Sequence, residues 1–219
     1  MLSFAEEIYL MALDEESGKI VLPGGEATLH RLLVGAVLCE ISFLDRIDND
    51  SQGIFLINTE TTNDPLLDEI IDTIRLRDRR ESIYFWMENL LPEASNIQSN
   101  VITSLIDKGI IKEVDDRILW VIPSRRYPVI DNQEVEEVKH RIERLIENKE
   151  MVPDPRDAVI ISLIYASGML KRFYSAEEYQ SRDPRIKQLS TLDMLANEAG
   201  KLIHEISVVL VQTGGAYRP

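Results

Sequence analysis

Apolar residues recur at helical spacing from the start of the chain. Phe4, Ile8 and Met11 fall on one face, and Ser3 followed three residues on by Glu6 forms a capping box, so a helix is predicted from Ser3. Asp14–Gly18 reads as a turn and Lys19–Leu22 as a short strand, and Pro23-Gly24-Gly25 breaks the chain again. Thr28 is the expected cap of a second helix running to about Leu44. Its Leu32, Leu33, Ala36, Val37 and Leu38 are apolar nearly all round, the mark of a central buried helix.

Gly53–Asn58 is predicted as a strand. Asp64-Pro65 opens a helix with an acidic cap and proline in the first turn, carrying Leu67, Ile70, Ile71 and Ile74. A further helix over about Arg80–Leu91 is expected to bury Ile83, Tyr84, Trp86 and Met87 before Pro92 ends it. Asn96–Lys108 reads as a helix with Ile97, Val101, Ile102 and Leu105 inward, and Gly109 suits the left-handed position past its end. Ile110–Val114 and Ile118–Ile122, around Asp115-Asp116-Arg117 as the turn, give a hairpin signal, with Arg125 and Arg126 in the loop beyond it.

The last third is helical in pattern. Gln133–Lys149 is charged with a narrow stripe of Val135, Val138, Ile142 and Leu145. Asp154-Pro155 caps an almost wholly apolar helix, Ser175–Tyr179 is a short helical turn, and Leu192–Val211 is a long final helix. Two apolar helices centred on Val34 and Ile161 predict one core. The expected fold is therefore mainly α, a single globular helical domain over 1–212 with a protruding β-hairpin, followed by a tail over 213–219.

Composition narrows the function. The chain has 219 residues, a net charge of −14 and a single cysteine. One cysteine excludes an internal disulfide or a cysteine-based zinc site, and Cys39 is expected as a buried thiol. No apolar run reaches the ~20 residues of a membrane span, and the N-terminus lacks the basic region of a signal peptide. Acidity of this size repels nucleic acid and anionic lipid unless a local basic patch overcomes it.

Two such patches exist. Arg75, Arg77, Arg79 and Arg80 crowd the junction of two helices with only Asp78 among them, and Arg125 and Arg126 lie beside Trp120, Ile122 and Tyr127. His30, His140 and His204 are far apart in sequence and in no metal-ligand spacing, and phosphate-loop, dinucleotide and nucleophile-elbow motifs are absent. Acidic pairs such as Glu6-Glu7 read as solvated faces. No cofactor, metal or catalytic residue is expected, and an enzyme would need a convergent acid and base that the sequence does not display.

Five segments in order, LSFAEEIYLMALDEESGKI (from Leu2), LLVGAVLCEISFLDRI (from Leu32), LLDEIIDTI (from Leu66), VITSLIDKGII (from Val101) and DPRDAVIISLIYASGMLKRFYS (from Asp154), resemble the Golgi phosphoprotein 3 family. The resemblance covers most of the chain. It implies a helical fold with an apolar hairpin that serves membrane contact and self-association, and binding of phosphatidylinositol 4-phosphate and of glycosyltransferase tails by eukaryotic relatives. On this chain the hairpin contacts would be Ile118, Leu119, Trp120, Ile122, Arg125, Arg126 and Tyr127.

The relatives' headgroup pocket uses a tryptophan and three arginines. Those positions correspond here to Gly25, Val34, Ser95 and Gln98, so the aromatic wall and all three cations are replaced. His30 and Arg31, one turn before Val34, are the remaining substitutes. A pocket without its bidentate partners loses several kcal/mol for a phosphate, and the departures suit a divergent, prokaryotic member. The expected function is a non-enzymatic, cytoplasmic, peripherally membrane-associated adaptor whose partners are a membrane surface or anionic headgroup, a second copy of itself, or protein clients. The alternative is a winged-helix-like nucleic-acid-binding regulator, from the helix at Asn96–Lys108 and the hairpin after it. Its recognition helix carries one lysine and no arginine, so no nucleic acid is expected as a partner.

Overall fold

The computed structural model describes residues 1–118, 122–192 and 198–213. Helix α1 spans Phe4–Ala12. Ser3 Oγ accepts the Glu6 amide while the Glu6 carboxylate accepts the Ser3 amide at 2.7 Å, closing the predicted capping box. All nine residues of α1 are buried, against the single apolar face expected. Glu6 and Glu7 are each 3% exposed, so their reading as a solvated acidic pair is corrected. The reason is neutralisation by distant cations: Lys108 pairs with Glu6, and Arg141 Nη2 meets Glu7 Oε2 at 2.8 Å.

Helix α2 runs over Gly25–Phe43, starting three residues before the cap assigned to Thr28, which is itself buried inside the helix. It lies in the core with Leu29, Leu32, Leu33 and Val34 fully enclosed. Glu40 near its end accepts the Phe4 amide at 2.6 Å and Arg156 Nη1 at 3.1 Å, while Arg156 Nη2 donates to the Leu2 carbonyl at 2.9 Å. Lys19–Leu22 forms no strand; only an isolated bridge joins Leu13 to Ile20. Arg172 fills that space, donating to the carbonyls of Met11, Leu13 and Val21 at 3.0–3.2 Å and so closing the C-terminal end of α1.

Strands β1 (Ile47–Asp50) and β2 (Gly53–Leu56) form a small antiparallel hairpin, of which the sequence pattern showed only the second strand. Helix α3 (Pro65–Arg75) is capped by Asp64 as predicted, and buries Leu67, Ile70, Ile71 and Ile74. Helix α4 (Ile83–Leu90) is capped by Ser82, three residues shorter at its start than predicted, and Tyr84 is 53% exposed where burial was expected. Helix α5 covers Ala94–Asp107, with Gly109 at φ 71° ending it.

The second hairpin is shifted in register. Strand β3 is Val114–Ile118 and β4 is Ile122–Arg126, so Asp115-Asp116-Arg117 lie in a strand and face Arg125, Ser124 and Pro123. Opposite charges at Asp115 and Arg125 suit cross-strand neighbours. Arg125 and Arg126 therefore belong to β4 and not to a loop beyond it. The apolar stretch Ile118–Ile122 joins the two strands in sequence, and its residues 119–121, Leu119 and Trp120 among them, lie outside the described residues.

Helices α6 (Gln133–Glu147) and α7 (Pro155–Ala166) match the predicted segments. Helix α8 spans Ala176–Leu192, far longer than the turn expected at Ser175–Tyr179, and carries Pro184 inside it. Helix α9 is Glu198–Thr213, and the tail beyond 213 lies outside the described residues. Helices α2, α7 and α9 pack together at the centre, with α1 across α2 and α7. One continuous core results, and the fold is mainly α in a single compact domain. Cys39 is buried in it, as expected.

Candidate functional site

The positions matched to the headgroup pocket lie where the first turns of α2 meet α5. Gly25 opens α2 with φ 59°, and a β-carbon there would meet nothing within 4 Å. One turn on, His30 Nε2 lies 2.9 Å from Gln98 Oε1, and Gln98 Nε2 donates to Glu26 Oε2 at 3.2 Å. Glu26 and His30 are i,i+4 neighbours at 3.9 Å. Beneath them the Tyr9 hydroxyl, 1% exposed, is pushed well above the usual phenol range, chiefly by burial, with further contributions from Tyr127 and Glu26.

The other positions diverge. Arg31 Nη1 donates to the Ala27 carbonyl at 3.4 Å, while its Nε is buried without an acceptor. Val34 is enclosed in the core, and Ser95 is exposed on the same face of α5 as Gln98. The structure thus joins His30 and Gln98 directly, turns Arg31 back toward the Ala27 carbonyl, and encloses Val34 in the core. It also adds Glu26 and Tyr9, which the sequence did not single out; the Glu26/His30 spacing of one turn was the available signal for the first.

A carboxylate held at hydrogen-bond distance from Gln98 opposes a phosphate by like charge. The cluster Glu26–Gln98–His30 offers donors and acceptors for a neutral polar group, and contains no guanidinium. Helix α5 buries Ala94, Ile97, Val101 and Leu105, while its outer face carries Ser95, Asn96, Ser99, Asn100 and Thr103. Lys108, just past its end, is committed to the buried Glu6.

The model of the Golgi phosphoprotein 3 family (GPP34) matches residues 4–206, nearly the whole chain. The chain belongs to the Golgi phosphoprotein 3 family. Among the described residues of this family member no helix is long and apolar enough to cross a membrane.

Among the described residues, the backbone bonds that tie the hairpin β3–β4 of this Golgi phosphoprotein 3 family member to the body lie at its base. Tyr127 donates its amide to the Gly18 carbonyl and Val129 its amide to the Glu15 carbonyl, each at 3.0 Å. Lys112 donates to the Pro128 carbonyl at 3.2 Å, and Ile130 to Ile110 at 2.8 Å. Tyr127 is half-buried against the core at this base, and Arg125 pairs with Glu113 at 3.1 Å. Among named elements each strand packs chiefly on the other.

Gly18 makes the base possible. Its φ is +63°, and a β-carbon there would stand 2.2 Å from the Pro128 nitrogen and 2.3 Å from the Tyr127 carbonyl carbon. Gly18→Ala is expected to cost about 2 kcal/mol and to loosen the hairpin's attachment. Urea unfolding reads the first effect, and faster hydrogen exchange at the Tyr127 and Val129 amides reads the second. Exchange unchanged from wild type would refute the anchoring role.

Proposed function

We propose that the chain is a non-enzymatic, peripheral membrane-associated adaptor that docks through the tip of its β3–β4 hairpin. The observation that carries this reading is the hairpin itself: the apolar sequence Ile118 to Ile122 joins two strands whose backbone bonds to the body, among the described residues, lie past the far ends of the strands, at Gly18, Glu15 and Ile110. A tryptophan followed by arginines suits the headgroup level of a bilayer, where the ring lies at the interface and guanidinium meets phosphate. Each arginine near an anionic surface contributes on the order of 1 kcal/mol.

Headgroup recognition at the first turns of α2 is not part of this function. Glu26 there, and the absence of the relatives' arginines, disfavour phosphatidylinositol 4-phosphate. The same tip can pair with a second copy or seat a client protein, and membrane docking is the first to test.

Flotation with vesicles of mixed neutral and anionic lipid compares the wild type with Trp120→Asp. The wild type is expected to float and the variant to stay at the bottom of the gradient. Equal flotation of both, or none by either, would overturn the membrane reading. Analytical ultracentrifugation of the same pair then reports whether the tip joins two copies.

A further inference from the structure

The connector between α3 and α4 carries chemistry that neither the hairpin nor the α2–α5 cluster uses. It holds Arg77, Arg79 and Arg80, with Arg75 at the end of α3, and is fixed to β2 by the Ile54 amide donating to the Glu81 carbonyl at 2.9 Å. All four arginines line one cavity of about 190 Å³ together with Trp86, over an apolar floor from β2 and α3. In a chain of net charge −14, four guanidinium groups around one small hollow are not a reflection of composition.

Their existing partners leave most of their donors available. Arg75 Nη2 meets Asp72 at 2.8 Å and Arg79 Nε meets Glu81 at 2.7 Å, while Arg80 pairs through Nη1 with Asp50 and lies over the Phe55 ring at 4.3 Å. Each pair uses a single nitrogen of a group with five N–H donors. Arg77 lies over the Phe85 ring at 4.7 Å and has no carboxylate partner among the described residues. Asp50, Asp72 and Glu81 stand outside the cavity lining, where Asp78 is the acidic residue.

A second, independent observation comes from Trp86. It is 1% exposed, lines this cavity, and its indole Nε1–H is buried without an acceptor. A buried donor left unmade is costly, and an oxyanion seated among the arginines would supply what it lacks. Guanidinium forks recognise tetrahedral oxyanions bidentately, and an indole adds a neutral directional donor.

We propose that this cavity is a binding site for a phosphate group, held by Arg75, Arg77, Arg79 and Arg80 with the Trp86 indole as neutral donor. The phosphate belongs either to a soluble phosphomonoester or to a lipid headgroup that ends in a phosphomonoester, since both present the same three terminal oxygens. The site does not rest on docking by the hairpin.

Two-dimensional ¹H–¹⁵N spectra of the full chain test it. The two tryptophan indole signals are told apart with Trp120→Phe, and inorganic phosphate is titrated at constant ionic strength against chloride. The Trp86 signal is expected to move saturably with phosphate and not with chloride. In the double variant Arg77→Gln, Arg79→Gln, both exposed positions, the affinity is expected to fall at least about tenfold. No movement, equal movement with chloride, or an unchanged affinity in the variant would overturn the proposal.

Glycerol phosphate and vesicles containing phosphatidic acid then separate the two sources, and arginine-dependent binding in either arm upholds the site. Trp120→Asp leaves these arginines intact. Failure of the docking reading therefore appears in flotation, and failure of this one in the phosphate titration.

Discussion

Arg185→Met is expected to destabilise the fold by about 4 kcal/mol, because one buried guanidinium completes the end of another helix. Arg185 is 7% exposed in α8, and its three nitrogens donate to four acceptors. Nε reaches the Leu145 carbonyl at 3.1 Å, Nη2 reaches Asn148 and Met151 at 3.1 and 2.8 Å, and Nη1 reaches Gln188 Oε1 at 2.9 Å. Three of these are carbonyls where α6 ends and the chain turns toward α7, of which Asn148 also accepts the Met151 amide at 3.1 Å. Methionine fills the volume and leaves them facing an apolar wall. Arg185→Lys is expected to recover little, since one ammonium cannot span the same fork. Equilibrium unfolding in urea with an unchanged m-value is the measurement, and a loss below about 1 kcal/mol would contradict the account.

Stability is also expected to fall as pH rises from about 5 to about 8, by roughly 3 kcal/mol from one residue. Burial pushes the Glu7 carboxyl up from 4.5 to about 7, outweighing the Arg141 guanidinium beside it. The folded chain then holds a proton that the unfolded chain has released. The Glu7 contribution is therefore fully present below 4.5, declines through the window, and is gone above 7. Asp157, which meets Arg141 Nε at 3.0 Å, is raised as well, mainly by burial, and adds in the same direction. Asp14, Asp50, Asp68 and Glu178 are held below their usual range by hydrogen bonds, so they act oppositely and only in stronger acid. Urea midpoints across this range should show the decline in the wild type and a much flatter profile in Glu7→Gln. A wild-type midpoint that is flat or rises toward pH 8 would rule the assignment out.

Local rules made much of this fold legible. Ser3 with Glu6, Asp64 with Pro65 and Asp154 with Pro155 mark helix starts whose hydrogen bonds close within three residues, so the sequence contains both partners. Features that failed depend on distant residues. Strand β1 reads Ile-Asp-Asn-Asp and has no apolar alternation, yet Asp48 and Asn49 are buried because β2 and the core close over them. Helix α8 outruns the short turn expected at Ser175–Tyr179 and continues through Pro184, because Tyr179, Arg185, Ile186 and Leu189 are buried where it packs on α6 and α7.

Turn chemistry misled at the second hairpin, where Asp115 and Asp116 resemble a turn but sit in β3 opposite Arg125 and Ser124. The candidate sites divide the same way. His30 and Gln98 follow from the family resemblance, whereas their bond to each other, 68 positions apart, and the part played by Glu26 depend on the fold. The arginine cluster was plain as a string of letters. Its cavity, and the buried indole in the lining, were not.

The enclosure of α1 has a consequence for biosynthesis. This helix leaves the ribosome well before the side chains that cover its charges and its end, which come from Lys108, Arg141, Arg156 and Arg172. At ordinary elongation rates some 160 further residues take on the order of ten seconds to appear, during which a nine-residue segment destined for full burial has no finished site. Nascent chains arrested before Arg172 should hold α1 in a protease-sensitive form, and α1 is secured only once some 160 residues behind it have appeared.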